Sequence, residues 1–142
     1  MKGIEFRAWD IVTKRHYAVC GLDFNDDGKL SEIYLSGIQI DESKPNANVR
    51  NPSDVILEQY TGLKDKNGKE IYEGDIVSYI RHFHGIIPQE SRTEIVSWRS
   101  GEEEQYPNCT TSGFSLPYSE DGYEVIGNVH ENQELLETND VD

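Results

Sequence analysis

Hydrophobic and polar residues alternate along much of this chain with a period of two, the pattern of half-buried β-strands. Residues 4–9 follow this alternation, and two further strand-like runs follow polar turns. The pattern predicts a β-meander over 3–40, strands at 55–60, 75–80, 93–98 and 123–129, and a short helix within 132–137. Strands this short and closely spaced are typical of a mainly β fold of the barrel or sandwich type.

A polar stretch divides the predicted strands into two groups. Residues 41–54 contain Pro45 and Pro52, which favour a linker or domain boundary. We therefore predict two domains: an N-terminal β-meander with its linker at 1–54, and a β domain with a short terminal helix at 55–142.

The segment 59–77 carries the strongest local signals in the sequence. Asn67-Gly68 favours a tight hairpin turn in which both central residues adopt positive φ. Gly62 and Gly74 lie on either side, and residues 75–80 are rich in β-branched and aromatic side chains. These signals predict a compact hairpin followed by a strand.

The charge of the chain narrows the classes of partner. The net charge is −14, and residues 100–142 contain 11 Asp and Glu residues but no Lys or Arg. Nucleic-acid-binding proteins normally present a basic surface, so the charge argues against direct binding to nucleic acid or to an anionic membrane. The negative charge is compatible with a basic protein partner or a bound cation. It is equally compatible with a role in keeping the protein soluble and nothing more.

Cysteine content and hydropathy predict a cytoplasmic protein. Cys20 and Cys109 have no metal-binding or redox spacing, which favours two free thiols in a reducing compartment. No secretory signal and no apolar run long enough to span a membrane is visible in the sequence.

Residues 23–30 partly match a calcium-binding EF-hand loop. Asp23, Asn25, Asp27 and Gly28 occupy positions 1, 3, 5 and 6, but Tyr34 replaces the bidentate Glu at position 12. Asn, Asp and Gly also form ordinary turns, so we predict a hairpin turn and keep calcium binding as an alternative.

Two histidines offer a second candidate metal site. His82 and His84 would share one face of a strand, with His16 or His130 as a third ligand. No Cys or carboxylate lies at a companion spacing, so exposed histidines are the simpler interpretation.

Four carboxylates gather near the central turns, at Asp65, Glu70, Glu73 and Asp75. Paired carboxylates can act as acid and base or hold magnesium. Lysines interleave with them, which predicts a solvated hairpin surface instead. For Asp75 we also consider a structural role as acceptor for turn amides.

The stretch 99–122 predicts a long acidic loop, either functional or without fixed structure. Its run of three glutamates is typical of a solvated loop or of a docking site for a basic protein. Aromatic residues nearby could anchor an interface. The candidate partner-binding residues are Glu102, Glu103, Glu104, Tyr106, Phe114 and Tyr118.

The remaining motifs give no reason to assign a reaction. The sequence contains no nucleophile elbow, phosphate-binding glycine loop, zinc spacing or dinucleotide fingerprint. We therefore assign no catalytic residue, no metal ligand and no cofactor. Trp9 and Trp98 are predicted to be packing residues.

Three segments of the chain resemble the YopX family of small proteins encoded by phages and prophages. They are Phe6–Asp10 followed by Lys14, Gln59–Asp65 continuing to Gly74–Val77, and Tyr123–Asn132 followed by Leu135-Leu136. Their order is that of the family, and together they span nearly the whole chain.

This resemblance implies an SH3-like β-barrel over about residues 55–131 and expression in a bacterial cytoplasm. It transfers no catalytic residue, because the molecular function of the family is not established. Residues 81–92 and 99–115 depart from the family pattern and are candidates for partner-specific contacts.

These observations favour a non-enzymatic phage accessory protein that binds an unidentified phage or host protein, or a second copy of itself. Two alternatives from other classes stay open. One is a metal-dependent enzyme or nuclease-like factor that uses the carboxylates or the His82/His84 pair. The other is an acidic mimic of nucleic acid that blocks a host DNA-binding protein.

Overall fold

The fold is mainly β, as predicted, in a computed structural model that describes residues 4–81, 90–97, 116 and 122–137. The chain divides into two compact units, Met1–Tyr60 and Thr61–Asp142. The strands are β1 Phe6–Asp10, β2 Arg15–Phe24, β3 Leu30–Leu35, β4 Val49–Arg50, β5 Val55–Lys64, β6 Glu70–Tyr72, β7 Asp75–Arg81, β8 Glu90–Ile95 and β9 Tyr123–Asn128. A 3₁₀ turn spans Pro52–Asp54 and a short helix, α1, spans Glu134–Glu137.

The first unit is an antiparallel sheet with the strand order β4-β3-β2-β1-β5. The first three strands form the predicted meander. The polar stretch 41–54 then returns the chain to the free side of β1, so that β5 pairs there. Trp9 of β1 consequently lies opposite His16 on β2 and opposite Ile56 on β5.

One face of this sheet forms the first hydrophobic core. Ala8, Ile33, Leu35 and Val55 are buried there, and Tyr17 packs against them among other partly buried side chains. Since side chains alternate between the faces of a strand, Arg7 and Trp9 belong to the opposite face. That face carries the charged cluster described below.

The second unit contains the β5–β6 hairpin and an antiparallel sheet of order β8-β7-β9. Its core consists of Ile71, Val77 and Val96, with Tyr123 and Val125 packed against them. Neither sheet closes on itself within the described residues. The SH3-like barrel therefore stays a prediction, as does the division into folding domains after residue 54.

Most predicted elements are confirmed, with shifted ends. β5 continues to Lys64, and β8 begins at Glu90 rather than at Thr93. The linker stretch contains β4 and the 3₁₀ turn. Trp98 lies outside the described residues. Within the described ranges, no helix is long and apolar enough to cross a membrane.

The hairpin turn at 65–69 is present, but its predicted geometry is wrong. Only Gly68 has a positive φ, at 87°, whereas Asn67 does not. The Gly68 N–H donates to the Asp65 carbonyl over 3.0 Å, and the Asp65 N–H donates to the Lys69 carbonyl over 2.7 Å. This is a type I turn closed by a left-handed glycine, one of the common three-residue hairpin loops.

We expect Gly68→Ala to lower the free energy of unfolding by about 1–2 kcal/mol, because a Cβ disfavours the left-handed backbone. A Cβ at Gly68 would meet no atom within 4 Å, so backbone strain is the whole effect. Gly68→Asn is the control and should cost less, because Asn tolerates this conformation. Urea unfolding measures both variants. Equal losses for Ala and Asn would contradict the explanation.

Candidate functional site

Asp65 connects the central hairpin to the last strand of the second unit. Its side chain is 7% exposed. One carboxylate oxygen accepts the N–H groups of Asn67 and Lys69 at 2.9 and 2.8 Å. The other accepts the N–H of Val125 on β9 at 3.1 Å. Asp65 thus closes its own turn and holds a strand that is 60 residues away in sequence.

Asp75 occupies the junction where β6, β7 and β8 meet. Its carboxylate accepts the N–H of Tyr72 at 2.8 Å, and its carbonyl accepts the N–H of Val96 at 2.8 Å. The preceding Gly74, with φ of 83°, donates to the Val96 carbonyl and accepts from the Val129 N–H. The predicted structural role of Asp75 is confirmed.

Asp10, at the end of β1, likewise accepts hydrogen bonds from an adjacent turn in the first unit. Its carboxylate accepts hydrogen bonds from the Thr13 hydroxyl at 2.8 Å and the Val12 N–H at 3.2 Å. The Arg50 guanidinium donates from Nε and from one terminal nitrogen, at 3.3 and 3.2 Å. Lys14 closes the turn with φ of 57°. The Asp10 side chain is fully buried.

These hydrogen bonds keep two of the buried carboxylates ionised. Burial by itself would raise the pKa of Asp10, but the bonds from Arg50, Thr13 and Val12 outweigh it and hold that pKa below 3.8. Burial likewise opposes the backbone donors around Asp65, and the donors again prevail, so its pKa is also lowered. Carboxylates with a low pKa and filled acceptor positions are poor proton acceptors at neutral pH.

The prediction that the central carboxylates lie on a solvated hairpin surface is wrong for Asp65 and Asp75. Both are buried, at 7% and 2% exposure. The turns fold back over their own aspartates because the turn N–H groups have no strand partner and need an acceptor.

A charged cluster of Arg7, His16 and Glu58 lies on the face of the first sheet opposite its core. Arg7 Nε and His16 Nε2 both lie 2.8 Å from the same oxygen, Glu58 Oε1. The Glu58 side chain is 4% exposed. The rings of Trp9 and His16 meet edge to face at 4.9 Å. The burial of Trp9, at 8% exposure, agrees with its predicted packing role.

The cluster indicates which ring nitrogen of His16 carries a hydrogen. A carboxylate can only accept, so Nε2 must carry the hydrogen that it donates to Glu58. Carboxylates orient catalytic or metal-bound imidazoles in the same way. Here, however, Arg7 shares the oxygen, which makes the arrangement a buried ion pair within the sheet.

In Tyr123–Asn132, the last of the three segments that resemble the YopX family, side chains also bind the segment's own backbone. The Asn128 Oδ1 accepts the N–H groups of His130 and Glu131, each at 3.0 Å. Asn132 Oδ1 accepts the N–H of Asn128 at 3.2 Å. A Cβ at Gly127 would lie 2.6 Å from the same Asn132 oxygen, so only glycine fits there without displacement.

The EF-hand-like residues form the predicted hairpin turn between β2 and β3. Strands flank the loop, whereas an EF-hand loop is flanked by helices. The Tyr34 hydroxyl lies 2.7 Å from Asp23 and 2.7 Å from Glu32. These hydrogen bonds, first that to Asp23, raise the pKa of Tyr34. Gly28, with φ of 84°, matches Gly68 in the later hairpin.

Several predicted site residues lie outside the described residues. They are the histidines His82 and His84 and the partner-binding set Glu102, Glu103, Glu104, Tyr106, Phe114 and Tyr118. Their assignments stay predictions.

The Glu58 cluster and the Asp10–Arg50 pair are absent from the sequence-based assignments. Arg7 and Glu58 each lie in a strand with an alternating pattern, which is only a weak indication that their charged side chains become buried. The sequence does not show that Arg7 lies opposite Glu58, because that register depends on β5 returning to β1.

We expect Asp65→Asn to lower the free energy of unfolding by about 1–3 kcal/mol at neutral pH, because an amide cannot accept from all three N–H groups. The pKa of Asp65 is depressed in the folded state. Its contribution is therefore present above the unfolded value, near 3.8, and is lost as the pH falls below it.

Urea unfolding at neutral pH and at successively lower pH checks this expectation. The difference between wild type and variant should shrink as the pH falls below about 4. Asp41→Asn is the control: this exposed aspartate also accepts turn donors, from Ser43 and Lys44, but it joins no second strand. A difference for Asp65→Asn that persists unchanged in acid would contradict the argument.

We expect Glu58→Gln to destabilise the first unit by about 3 kcal/mol, because it removes the negative charge that pairs with the largely buried Arg7. Replacing both residues with Arg7→Met and Glu58→Leu should recover most of the loss, since an apolar pair avoids buried charge. Glu124→Gln is the control, because its pair with Lys66 is about half exposed. Thermal unfolding followed by circular dichroism compares the four proteins. A double variant that loses as much stability as Glu58→Gln would refute the coupling.

Comparison with known proteins identifies a matching family and a similar structure. The protein-family model described as "YopX protein" matches residues 5–137. A crystal structure of protein EF1440 from Enterococcus faecalis is similar to this chain, with 29% identity and a TM-score of 0.60. The match covers 96% of this chain and 99% of that one. A search of curated proteins gave no significant match. The chain belongs to the YopX family.

Proposed function

We propose that this protein is a non-enzymatic binding module of phage or prophage origin, acting in the cytoplasm of a bacterial host. Its partner is another protein, or a second copy of the chain. We also propose that residues 55–131 form a small barrel of the SH3-like type, since β5, β6, β7, β8 and β9 all fall within that range.

The observation that carries this proposal is that backbone N–H groups already bind both oxygens of the Asp65 carboxylate. It accepts three backbone N–H groups and has a lowered pKa, although it lies in the most distinctive segment of the sequence. A general base works best with a pKa near the working pH, and a metal ligand needs available lone pairs. The signature aspartates thus support the scaffold, and binding is left to its surface.

The distribution of charge indicates which surface binds. The lysines and arginines are absent from residues 100–142, so the acidic excess concentrates after β8. A dense acidic segment with aromatic neighbours suits a basic protein partner, because charge speeds association while aromatic anchors supply affinity. Glu102, Glu103, Glu104, Tyr106, Phe114 and Tyr118 are the residues that we propose to contact it.

Affinity capture from host lysates, with and without phage infection, tests the proposal. The tagged full-length chain should retain one protein in stoichiometric amount, and elution on a salt ladder should release it at moderate salt. The triple variant of Glu102, Glu103 and Glu104 to Gln should lose that protein, whereas Glu32→Gln, in the first unit, should keep it.

Titration of the purified partner into the purified chain then separates direct from indirect capture. A dissociation constant that rises in the triple variant confirms the acidic segment as the contact. Failure to capture any protein from either lysate, together with a metal-dependent rise in the melting temperature, would contradict the proposal and favour the metal-dependent alternative.

A further inference from the structure

β8 is the outermost strand of the second unit's sheet within the described residues. An edge strand presents unpaired N–H and C=O groups that can pair with another strand. The opposite edge, at β9, is partly occupied. Val125 donates its N–H to the Asp65 carboxylate, and the Tyr123 carbonyl accepts the N–H of Lys66 at 2.8 Å. α1 lies close to β8, but among the described residues the outer side of β9 already has hydrogen bonds, so we consider the pairing of a further strand at β8.

The register identifies which backbone groups of β8 point outward. The N–H and C=O of Val96 are both bonded to the segment that begins β7, so they point inward. In an antiparallel ladder this orientation alternates, so the backbone groups of Glu94 and Arg92 also face β7. Those of Thr93 and Ser91 face away from it. Among the described residues, no backbone hydrogen bond to these outward groups is observed.

We propose that a second copy of this chain binds along β8 in an antiparallel, two-fold pairing centred on Thr93. The N–H of each Thr93 donates to the carbonyl of Thr93 in the other copy. This register places Arg92 of each copy opposite Glu94 of the other, at positions where antiparallel side chains approach most closely. The same symmetry produces two such oppositely charged pairs, and a central Thr–Thr pair is itself favourable.

Charge selects this register over its neighbours. Sliding the second copy by two residues in one direction places Arg92 opposite Arg92 and Glu90 opposite Glu94. Sliding it the other way places Glu94 opposite Glu94. Like charges directly opposite each other destabilise a strand pair. A register centred on Ser91 also places Arg92 opposite Glu90, but it overlaps only residues 90–92 of β8, whereas the register centred on Thr93 overlaps residues 91–95.

The side chains are arranged so that this pairing costs little. Arg92 is paired with Glu90 in the same strand at 3.2 Å, but both side chains are 47% exposed, so the pair contributes little to stability. Arg92 can therefore turn to a new carboxylate. Glu94 is held in place by the Tyr79 hydroxyl, which donates to its Oε1 at 3.1 Å. The self-pairing rests on the proposed binding function and names a second copy as one of its partners.

Sedimentation velocity of the purified full-length chain over a wide concentration range tests the pairing. Wild type should dimerise as the concentration rises. Arg92→Glu and Glu94→Arg should each raise the dimer dissociation constant about tenfold or more, because each turns two attractive pairs into repulsive ones. The double variant with both changes should return towards wild type, since it restores opposite charges.

A matched pair at Thr93 tests the backbone bond itself. Thr93→Pro removes the outward N–H, at a position where an edge strand tolerates proline, and should abolish the dimer. Thr93→Ala keeps the N–H and should leave most of the affinity. Circular dichroism and the melting temperature establish that each variant is folded. The charge variants keep the test decisive if the proline variant does not fold.

Each result decides for or against the β8 pairing. A wild type that stays monomeric at the highest concentration overturns it, and so does a dimer that is insensitive to both the charge exchange and the proline. These failures leave the capture of a host or phage protein through the acidic segment unaffected. Loss of that capture with an intact, charge-sensitive dimer would overturn the acidic-segment proposal instead.

Discussion

Buried carboxylates that accept hydrogen bonds from turn amides stabilise each of the two units of this protein internally. Asp10, Asp65 and Asp75 each lie beside a turn whose N–H groups no strand can reach. An unsatisfied buried N–H costs about 1–3 kcal/mol, so one ionised carboxylate that accepts several such groups offsets a large penalty. The arrangement also explains why burial fails to raise the pKa of Asp10 and Asp65: each carboxylate exchanges water for donors of comparable strength.

Charge inside the protein and charge on its surface have different uses. The Glu58 cluster contains two hydrogen-bond donors around one carboxylate oxygen within the sheet, and it links β5 to β1 and β2. The acidic excess of residues 100–142 has no lysine or arginine within its own segment to neutralise it. Structural carboxylates thus stabilise the fold, whereas the acidic excess of residues 100–142 is where we propose that a basic partner binds.

Asp65 links the scaffold to the proposed self-association. By binding Val125, it covers part of the β9 edge, and the proposed pairing uses the other edge of the same sheet, at β8. On that edge, the order Arg92-Thr93-Glu94 is complementary to itself when read in the opposite direction. In the proposed dimer, this short sequence sets both the attraction between the copies and the register in which they meet.

The sequence by itself determined the mainly β fold, the meander of the first unit and most strand positions, because alternation and turn residues are local properties. It offered the structural role of Asp75 as an alternative, since an aspartate directly after a turn glycine has turn amides within reach, and the structure confirmed that alternative. The sequence did not reveal three hydrogen-bonded pairs: Asp10 with Arg50, Arg7 with Glu58, and Asp65 with Val125. These partners are 40, 51 and 60 residues apart, and only strand order and register bring them together. Whether a charge ends on the surface or in a buried pair was thus decided by the tertiary structure.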